Sequence, residues 1–134
     1  MPLALNIVTP TGTIVDAVTV DTIVAPGSEG EFGVLEGHEN FLTALEPGVL
    51  RYESGGNEER IAISDGFAEV NAQSVTVLVN SGERADEIER TRAESARERA
   101  ERRLAGQGDE DDVDRDRAQL AYARALARLA ILVG

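Results

Sequence analysis

Ser74-Val75-Thr76-Val77-Leu78-Val79 has the alternation of a strand, whereas Ala85-Asp86-Glu87-Ile88-Glu89-Arg90-Thr91-Arg92-Ala93 a few residues later does not. Across that junction the hydrophobic period passes from two to helical spacing. The change divides the chain into two segments, residues 1–84 and 85–134, and points to an α+β fold. An antiparallel β-sandwich or barrel comes first, and an antiparallel two-helix hairpin follows.

Upstream of the junction, the strand-like runs are Leu3–Val8, Gly12–Val24, Val49–Glu53, Arg60–Ser64 and Phe67–Asn71, all rich in β-branched residues. Turn signals separate them: Thr9–Gly12, Pro26–Gly30, Pro47-Gly48, Ser54–Asn57 and Asp65-Gly66. Asp65-Gly66 suits a tight hairpin, because a type I′ turn needs positive φ at both central residues. Many short strands with frequent turns indicate a small sandwich or barrel.

Downstream, residues 85–105 read as a charged helix with one thin apolar stripe, Ile88, Ala96, Ala100 and Leu104. Gly106-Gln107-Gly108-Asp109 interrupts it. Asp111, Asp112 and Asp114 favour the start of a second helix through capping and the helix dipole. That helix carries Leu120, Ala123, Ala127 and Ala130 on one stripe, with Tyr122, Leu126, Leu129 and Val133 beside it. Alanine faces bury little, so the hairpin reads as marginally stable, which suits a movable element.

Composition narrows the function. The chain has 134 residues, enough for one small domain plus an appendage. It has no Cys and one His, His38, which excludes disulfides, thiol catalysis and His-rich metal sites. All 13 basic residues are Arg, so lysine-dependent chemistry is excluded as well. The net charge of −12 repels phosphate backbones, and no nucleic-acid partner is expected. Residues 1–84 hold 13 acids and 3 Arg, net −10; residues 85–134 hold 12 acids and 10 Arg, net −2. No run approaches the roughly 18 apolar residues of a membrane span, and the start lacks a secretory pattern. A reducing setting without direct membrane insertion is expected.

Residues 27–48, from Gly27-Ser28-Glu29-Gly30-Glu31-Phe32-Gly33 through Glu36-Gly37-His38-Glu39-Asn40 to Pro47-Gly48, resemble the ε subunits of bacterial F-type ATP synthases. Ile63-Ser64-Asp65-Gly66-Phe67-Ala68-Glu69-Val70 is similar to that family's Ile-Ser-Gly-Gly-Phe-x-Glu-Val segment, and Ile88–Ala93 to its Ile-Asp-x-x-Arg-Ala motif. The resemblance implies a non-catalytic subunit. Its sandwich would join the γ subunit to the c ring in proton-driven ATP synthesis. Its hairpin would lie folded, or extend toward the α/β catalytic subunits and block ATP hydrolysis. The implied location is peripheral, on the cytoplasmic face of the bacterial cell membrane. A free-standing adaptor or ligand-sensing module on the same fold is the rival reading.

The resemblance also implies residues. Glu29, Gly30, Glu31 and His38 are expected at the rotor interface, with Glu36 and Glu39 adding charge that steers a basic partner. Ile88, Glu89, Arg92, Ala93, Arg124 and Arg128 are the expected nucleotide site, with ATP as a regulatory ligand and no cofactor required. Helical spacing puts Ile88 one turn from Arg92, and Arg124 one turn from Arg128, and an antiparallel hairpin can bring the pairs together. Guanidinium groups hold phosphate through bidentate hydrogen bonds. Glu89 stands where the family motif has Asp. No catalytic constellation surrounds His38. Gly27, Gly30 and Gly33 lack the dinucleotide spacing. The acidic run 109–114 lacks the ligand order of a calcium loop and reads as a helix cap.

Overall fold

Strands and helices follow in the expected order in the computed structural model, which describes residues 3–35, 37, 39–106 and 112–133. The strands are β1 (Leu3–Thr9), β2 (Gly12–Val20), β3 (Thr22–Gly27), β4 (Gly30–Val34), β5 (Phe41–Leu45), β6 (Gly48–Ser54), β7 (Asn57–Ile63), β8 (Gly66–Val70), β9 (Ser74–Val79) and β10 (Gly82–Glu83). A 3-10 turn, Ala85–Glu87, precedes α1 (Arg90–Leu104), and α2 (Asp112–Val133) follows.

Hydrogen bonding links the strands in the order β10-β7-β6-β3-β5-β8-β9-β1-β2, with β4 beside β3. This ribbon folds over itself at two corners. β3 and β5 share a single residue pair, Gly27 with Leu45. β2 runs into β3 through Asp21, whose N–H donates to the Glu53 carbonyl at 2.8 Å. The Ser54 hydroxyl reinforces that corner by donating to the Thr19 carbonyl at 2.7 Å. One layer is therefore β10-β7-β6-β3-β4 and the other β5-β8-β9-β1-β2. Alternate side chains from both layers fill the space between, including Leu3, Leu5, Ile7, Ile23, Leu50 and Ile61. Among the described residues, none in the helices belongs to this core.

Several expectations are corrected. The run Gly12–Val24 is two strands, because the chain changes layer at Asp21. β4 and β5 arise from a stretch that showed no strand signal; Phe32 and Phe41 join them edge to face at 5.4 Å. The sheet is not wholly antiparallel, since β1 runs parallel to β9. Periodicity records which face a residue takes and carries no information about strand direction. Asp65-Gly66 is not a hairpin turn: β7 pairs with β6 and β10, and β8 with β5 and β9. The chain crosses between layers there. The tight turn with positive φ at both central residues lies at Gly55 (+59°) and Gly56 (+82°), between β6 and β7. Gly66 serves a different need. A Cβ there would collide with the Leu78 carbonyl oxygen and lie 2.8 Å from Val79 Cα.

The first helix starts later than residue 85. Ile88 and Glu89 are extended, with φ/ψ of −98°/124° and −91°/114°. The 3-10 turn is closed by the Arg84 N–H donating to Glu87 Oε1 at 3.0 Å. The chain kinks after it because Ile88 packs into the cluster formed by Ala62, Ala127 and Ile131. α1 ends as the Gly signal indicates: Gly106 adopts φ +76° and its N–H donates to the Arg103 carbonyl at 3.1 Å.

The helix stripes also differ. α1 buries Ala93 and Ala100, two turns apart, while Ala96 and Leu104 are only half-buried. α2 is packed on two sides, against α1 and against β6 and β7. Ala118, Ala125 and Leu129 follow one buried line, and Ala127 and Ile131 another. Leu120 and Leu126 are exposed. A helix rich in alanine on every side has no single apolar stripe to read.

One position in β2 is strained. Ala17 has φ +49°, a left-handed conformation unfavourable for a residue with a Cβ. The bulge opposite Asn6 requires it, and the Ala17 N–H donates to Asn6 Oδ1 at 2.8 Å. Ala17→Gly is expected to raise unfolding stability by about 0.5–1 kcal/mol. Gly66→Ala is expected to lower it by about 3 kcal/mol, because backbone rather than a flexible side chain must move. Urea unfolding of both variants checks the pair of signs.

Candidate functional site

The hairpin meets the sandwich where the strand alternation fails. In β7, Ile61, Ala62 and Ile63 are all buried. Ile61 and Ile63 face the core, and Ala62 faces outward, where Ala127 and Ile131 of α2 cover it. A small side chain at Ala62 lets the helix lie close to the strand. One ion pair supplements this patch: Arg128 Nε of α2 donates to Glu83 Oε1 of β10.

Beside the joint is a cleft of about 590 Å³. Glu83, Glu87, Ile88, Glu89, Arg92, Ala93, Ala96, Arg99 and Arg128 line it, with Thr91 and Ser95. Five of the six residues expected at a nucleotide site are therefore brought together. They converge by a different route from helical spacing alone, since Ile88 and Glu89 are extended and only Arg92 and Ala93 lie on α1. Arg124 does not line this cleft. It lies behind it, around a narrow crevice lined also by Ser64, Ser81, Glu83 and Arg128. Glu83 and Arg99, which the sequence reading left out, do line it. Arg99 is two turns along α1 from Arg92, a spacing that could have pointed to it.

The electrostatics are mixed. Among the described residues, Arg92 and Arg99 make no ion pair, whereas Arg128 is held by Glu83. Glu87 is engaged with its own turn. Exposed guanidinium groups over the apolar Ile88, Ala93 and Ala96 suit a ligand with anionic groups and an apolar part. Among the described residues no cluster of acids and imidazoles suited to a metal occurs.

The expected rotor residues occupy one end of the sandwich only in part. Ser28 and Glu29 form the turn between β3 and β4, closed by Gly27 opposite Gly30. Glu31 pairs with Arg51 of β6 at 3.2 Å, so part of its charge is compensated within the chain. Gly37 lies at the other end of β5, its N–H bonded to the Ala72 carbonyl at 3.0 Å. Glu29 and Glu39 therefore sit at opposite ends of β5 and do not form one acidic patch. Glu36 and His38 lie outside the described residues, as do residues 109–111 of the acidic run.

A further surface was not anticipated. On the outer face of the second layer, Ala44, Phe67, Leu78 and Val8 are successive cross-strand partners on β5, β8, β9 and β1. Phe67 is 56% exposed and Leu78 50%. This row lies on the side of the sandwich away from the hairpin, which covers the other layer. Two exposed apolar side chains at the centre of an apolar row across four neighbouring strands suit an interaction surface. Phe67 and Leu78 fall in polar phase with Glu69 and Thr76, and that breach of alternation was the available signal.

Residues 2–85 match the ATP synthase, Delta/Epsilon chain, beta-sandwich domain, and residues 86–132 match the ATP synthase, Delta/Epsilon chain, long alpha-helix domain. The chain belongs to the ATP synthase delta/epsilon chain family. The ATP synthase epsilon chain of Syntrophobacter fumaroxidans is 48% identical over 129 residues, 96% of this chain and 94% of that one. That of Desulforamulus reducens is 43% identical over 125 residues, 93% of this chain and 92% of that one. A chain in the cryo-EM structure of the Euglena gracilis mitochondrial ATP synthase, OSCP/F1/c-ring in rotational state 1, superposes with TM-score 0.82 at 28% identity, covering 99% of this chain and 82% of that one. A chain of the Tetrahymena thermophila mitochondrial ATP synthase central stalk/c-ring structure, at 17% identity and TM-score 0.55, shares the fold. Members of the family are non-catalytic subunits of ATP synthase, and this chain is one of them.

The joint at Ala62 can be tested directly. Ala62→Phe introduces a ring where Ala127 and Ile131 close over the strand, and overpacking costs about 1–3 kcal/mol. The expected result is faster amide hydrogen exchange in α1 and α2 with unchanged exchange in β1, β8 and β9.

Proposed function

We propose that the sandwich couples the central stalk to the c ring during proton-driven ATP synthesis, and that the hairpin is a movable arm restraining ATP hydrolysis. The observation that supports this most is the way the two parts join. Among the described residues, the sandwich core holds none from the hairpin, and the hairpin is held by a small apolar patch and the half-buried Arg128–Glu83 ion pair. Such a joint can open without unfolding the sandwich. The exposed row around Phe67 and Leu78 gives the sandwich a surface for the γ subunit that remains available whichever position the hairpin takes. The turn at Glu29 and Gly30, with Glu31 beside it, is the part assigned to the c ring, and His38 belongs to the same proposed interface. Extended, the Arg-rich α1 would face the α/β subunits.

ATP in the cleft is the proposed regulatory ligand. Arg92 and Arg99 come from α1 and Arg128 from α2, so a polyphosphate bound by them fastens the hairpin in its folded form. No helix among the described residues is long and apolar enough to cross a membrane. The proposed place is peripheral, on the cytoplasmic face of the cell membrane, through the c ring. A free-standing adaptor would have no need of the ring-facing turn at Glu29 and Gly30.

The deciding experiment measures ATP hydrolysis by the catalytic complex with the full chain and with residues 1–84. Hydrolysis is expected to be severalfold slower with the full chain; equal rates at equal occupancy would remove the inhibitory arm. Isothermal calorimetry at millimolar ATP should give saturable heat that Arg92→Ala abolishes. For the other face, Phe67→Asp and Leu78→Asp are each expected to weaken binding to γ about tenfold or more. Circular dichroism should show the sandwich intact, since both side chains are already solvated.

A further inference from the structure

Asp65 is a half-buried carboxylate without a counter-ion in its own chain. It stands in the crossover between β7 and β8. Its backbone carbonyl accepts the Asn80 N–H at 3.3 Å, and its Oδ1 accepts a long bond from Asn80 Nδ2 at 3.4 Å. Among the described residues it makes no ion pair. The three arginines of residues 1–84 all belong to the other layer: Arg51 is on β6, Arg60 on β7, and Arg84 follows β10. The remaining arginines are in the hairpin, which also lies against that layer. Asp65 lines a groove of about 580 Å³ along the exposed row, with Val8, Pro10, Phe67 and Leu78 on its walls. It is the one charged residue among the described residues that line this groove.

We infer that this groove takes one long cationic side chain of the γ subunit, an arginine or lysine whose stem lies on the apolar walls and whose head meets Asp65. The groove has this role only if the Phe67 and Leu78 row faces γ, the reading on which the inference rests. Arg and Lys bury an aliphatic stem along apolar surface while the charged head keeps a polar partner. A partner that covered the row without a cation would strip water from the Asp65 carboxylate and leave it uncompensated, which is costly. Phe67 adds a ring beside the same groove, and the face of a ring attracts a cation. The 13 acids against 3 Arg of residues 1–84 favour the approach of a basic partner. In the Ile-Ser-Gly-Gly-Phe-x-Glu-Val segment that residues 63–70 resemble, glycine stands where this chain has Asp65. The carboxylate is therefore a feature of this chain, and it selects a γ that offers a cation over one that offers an apolar or acidic side chain there.

Asp65→Asn isolates the charge. The amide is nearly the same shape, and its oxygen still accepts a hydrogen bond from Asn80 Nδ2. Binding of the full chain to the catalytic complex that contains γ but lacks this subunit reads the effect, at low and at high salt. Asp65→Asn is expected to bind about tenfold more weakly than the unaltered chain at low salt, with the deficit narrowing as salt screens the charge. Asp65→Glu, which keeps the charge, should bind better than Asp65→Asn, and Asp65→Arg worse than either. Glu53→Gln removes one charge from the exposed surface of the other layer and should bind like the unaltered chain. Equal or tighter binding by Asp65→Asn, with Phe67→Asp weakened, overturns the inference and leaves the γ surface standing. A loss that is the same at both salt concentrations, or that Asp65→Glu shares in full, overturns it too and gives the carboxylate a purely structural part in the crossover. An equal loss in Glu53→Gln also overturns it, because net charge is then at work. Undiminished binding by Phe67→Asp, Leu78→Asp and Asp65→Asn alike removes both the inference and the γ surface.

Discussion

Ala62 lies under Ala127 and Ile131 on the outside of the first sheet layer, and the arrangement of everything downstream depends on that contact. It holds α2 on β6 and β7, and α1 packs against α2. The kink at Ile88 belongs to the same cluster, so the start of α1 is set by this patch rather than by helix propensity. The cleft lies where Ile88 and Glu89 run extended between the 3-10 turn and α1. The joint is made of Ala62, Ala127 and Ile131 with Ile88 and Leu132 against them, a much smaller cluster than the sandwich core, and area decides the strength of apolar association. The fold therefore combines a sandwich with a full core and an attachment whose strength is of the order at which binding events can act.

The two faces of the sandwich differ in what covers them. One is covered by α2; the other exposes Phe67 and Leu78 in a row shared by four strands. The proposed movement of the hairpin, with the sandwich staying attached, needs these surfaces to be independent. The two outer faces are separated by the core that both layers fill.

Much of this was legible in the residues. The junction near residue 84, the alternating runs, the Gly106 stop and the Arg pairs all report local physics, and local physics survives in a sequence. Other features were hidden because they depend on partners far away in the chain. β4 and β5 have Glu31, Gly33 and Thr43 at positions that break any simple pattern, and they are strands because β3 and β8 pair with them. Asp65-Gly66 has the composition of a hairpin turn, yet Gly66 is required by the Leu78 carbonyl across the sheet. Leu120 looked like core and is exposed, whereas Ala118 is buried, because an alanine-rich helix packed on two sides offers no moment to read. Within the cleft, Arg92 and Arg128 were foreseeable from the motif and the helix register. Glu83 was not, since its meaning comes only from the guanidinium opposite it.

The parallel pairing of β1 with β9 bears on how the chain is assembled as it is made. β1 and β2 form a local hairpin early, but the other edge of β1 stays open until residues 74–79 have emerged. Closing so long a loop is slow compared with forming hairpins, because its entropy is lost before the contact is gained. The ribosome thus holds a half-built sandwich with an open edge for most of the synthesis of this domain. β9 completes the second layer and β10 follows almost at once. The helices emerge last, onto a finished surface, and α1 and α2 can pair locally before docking. The part proposed to move in the working enzyme is thus also the part that the growing chain adds last.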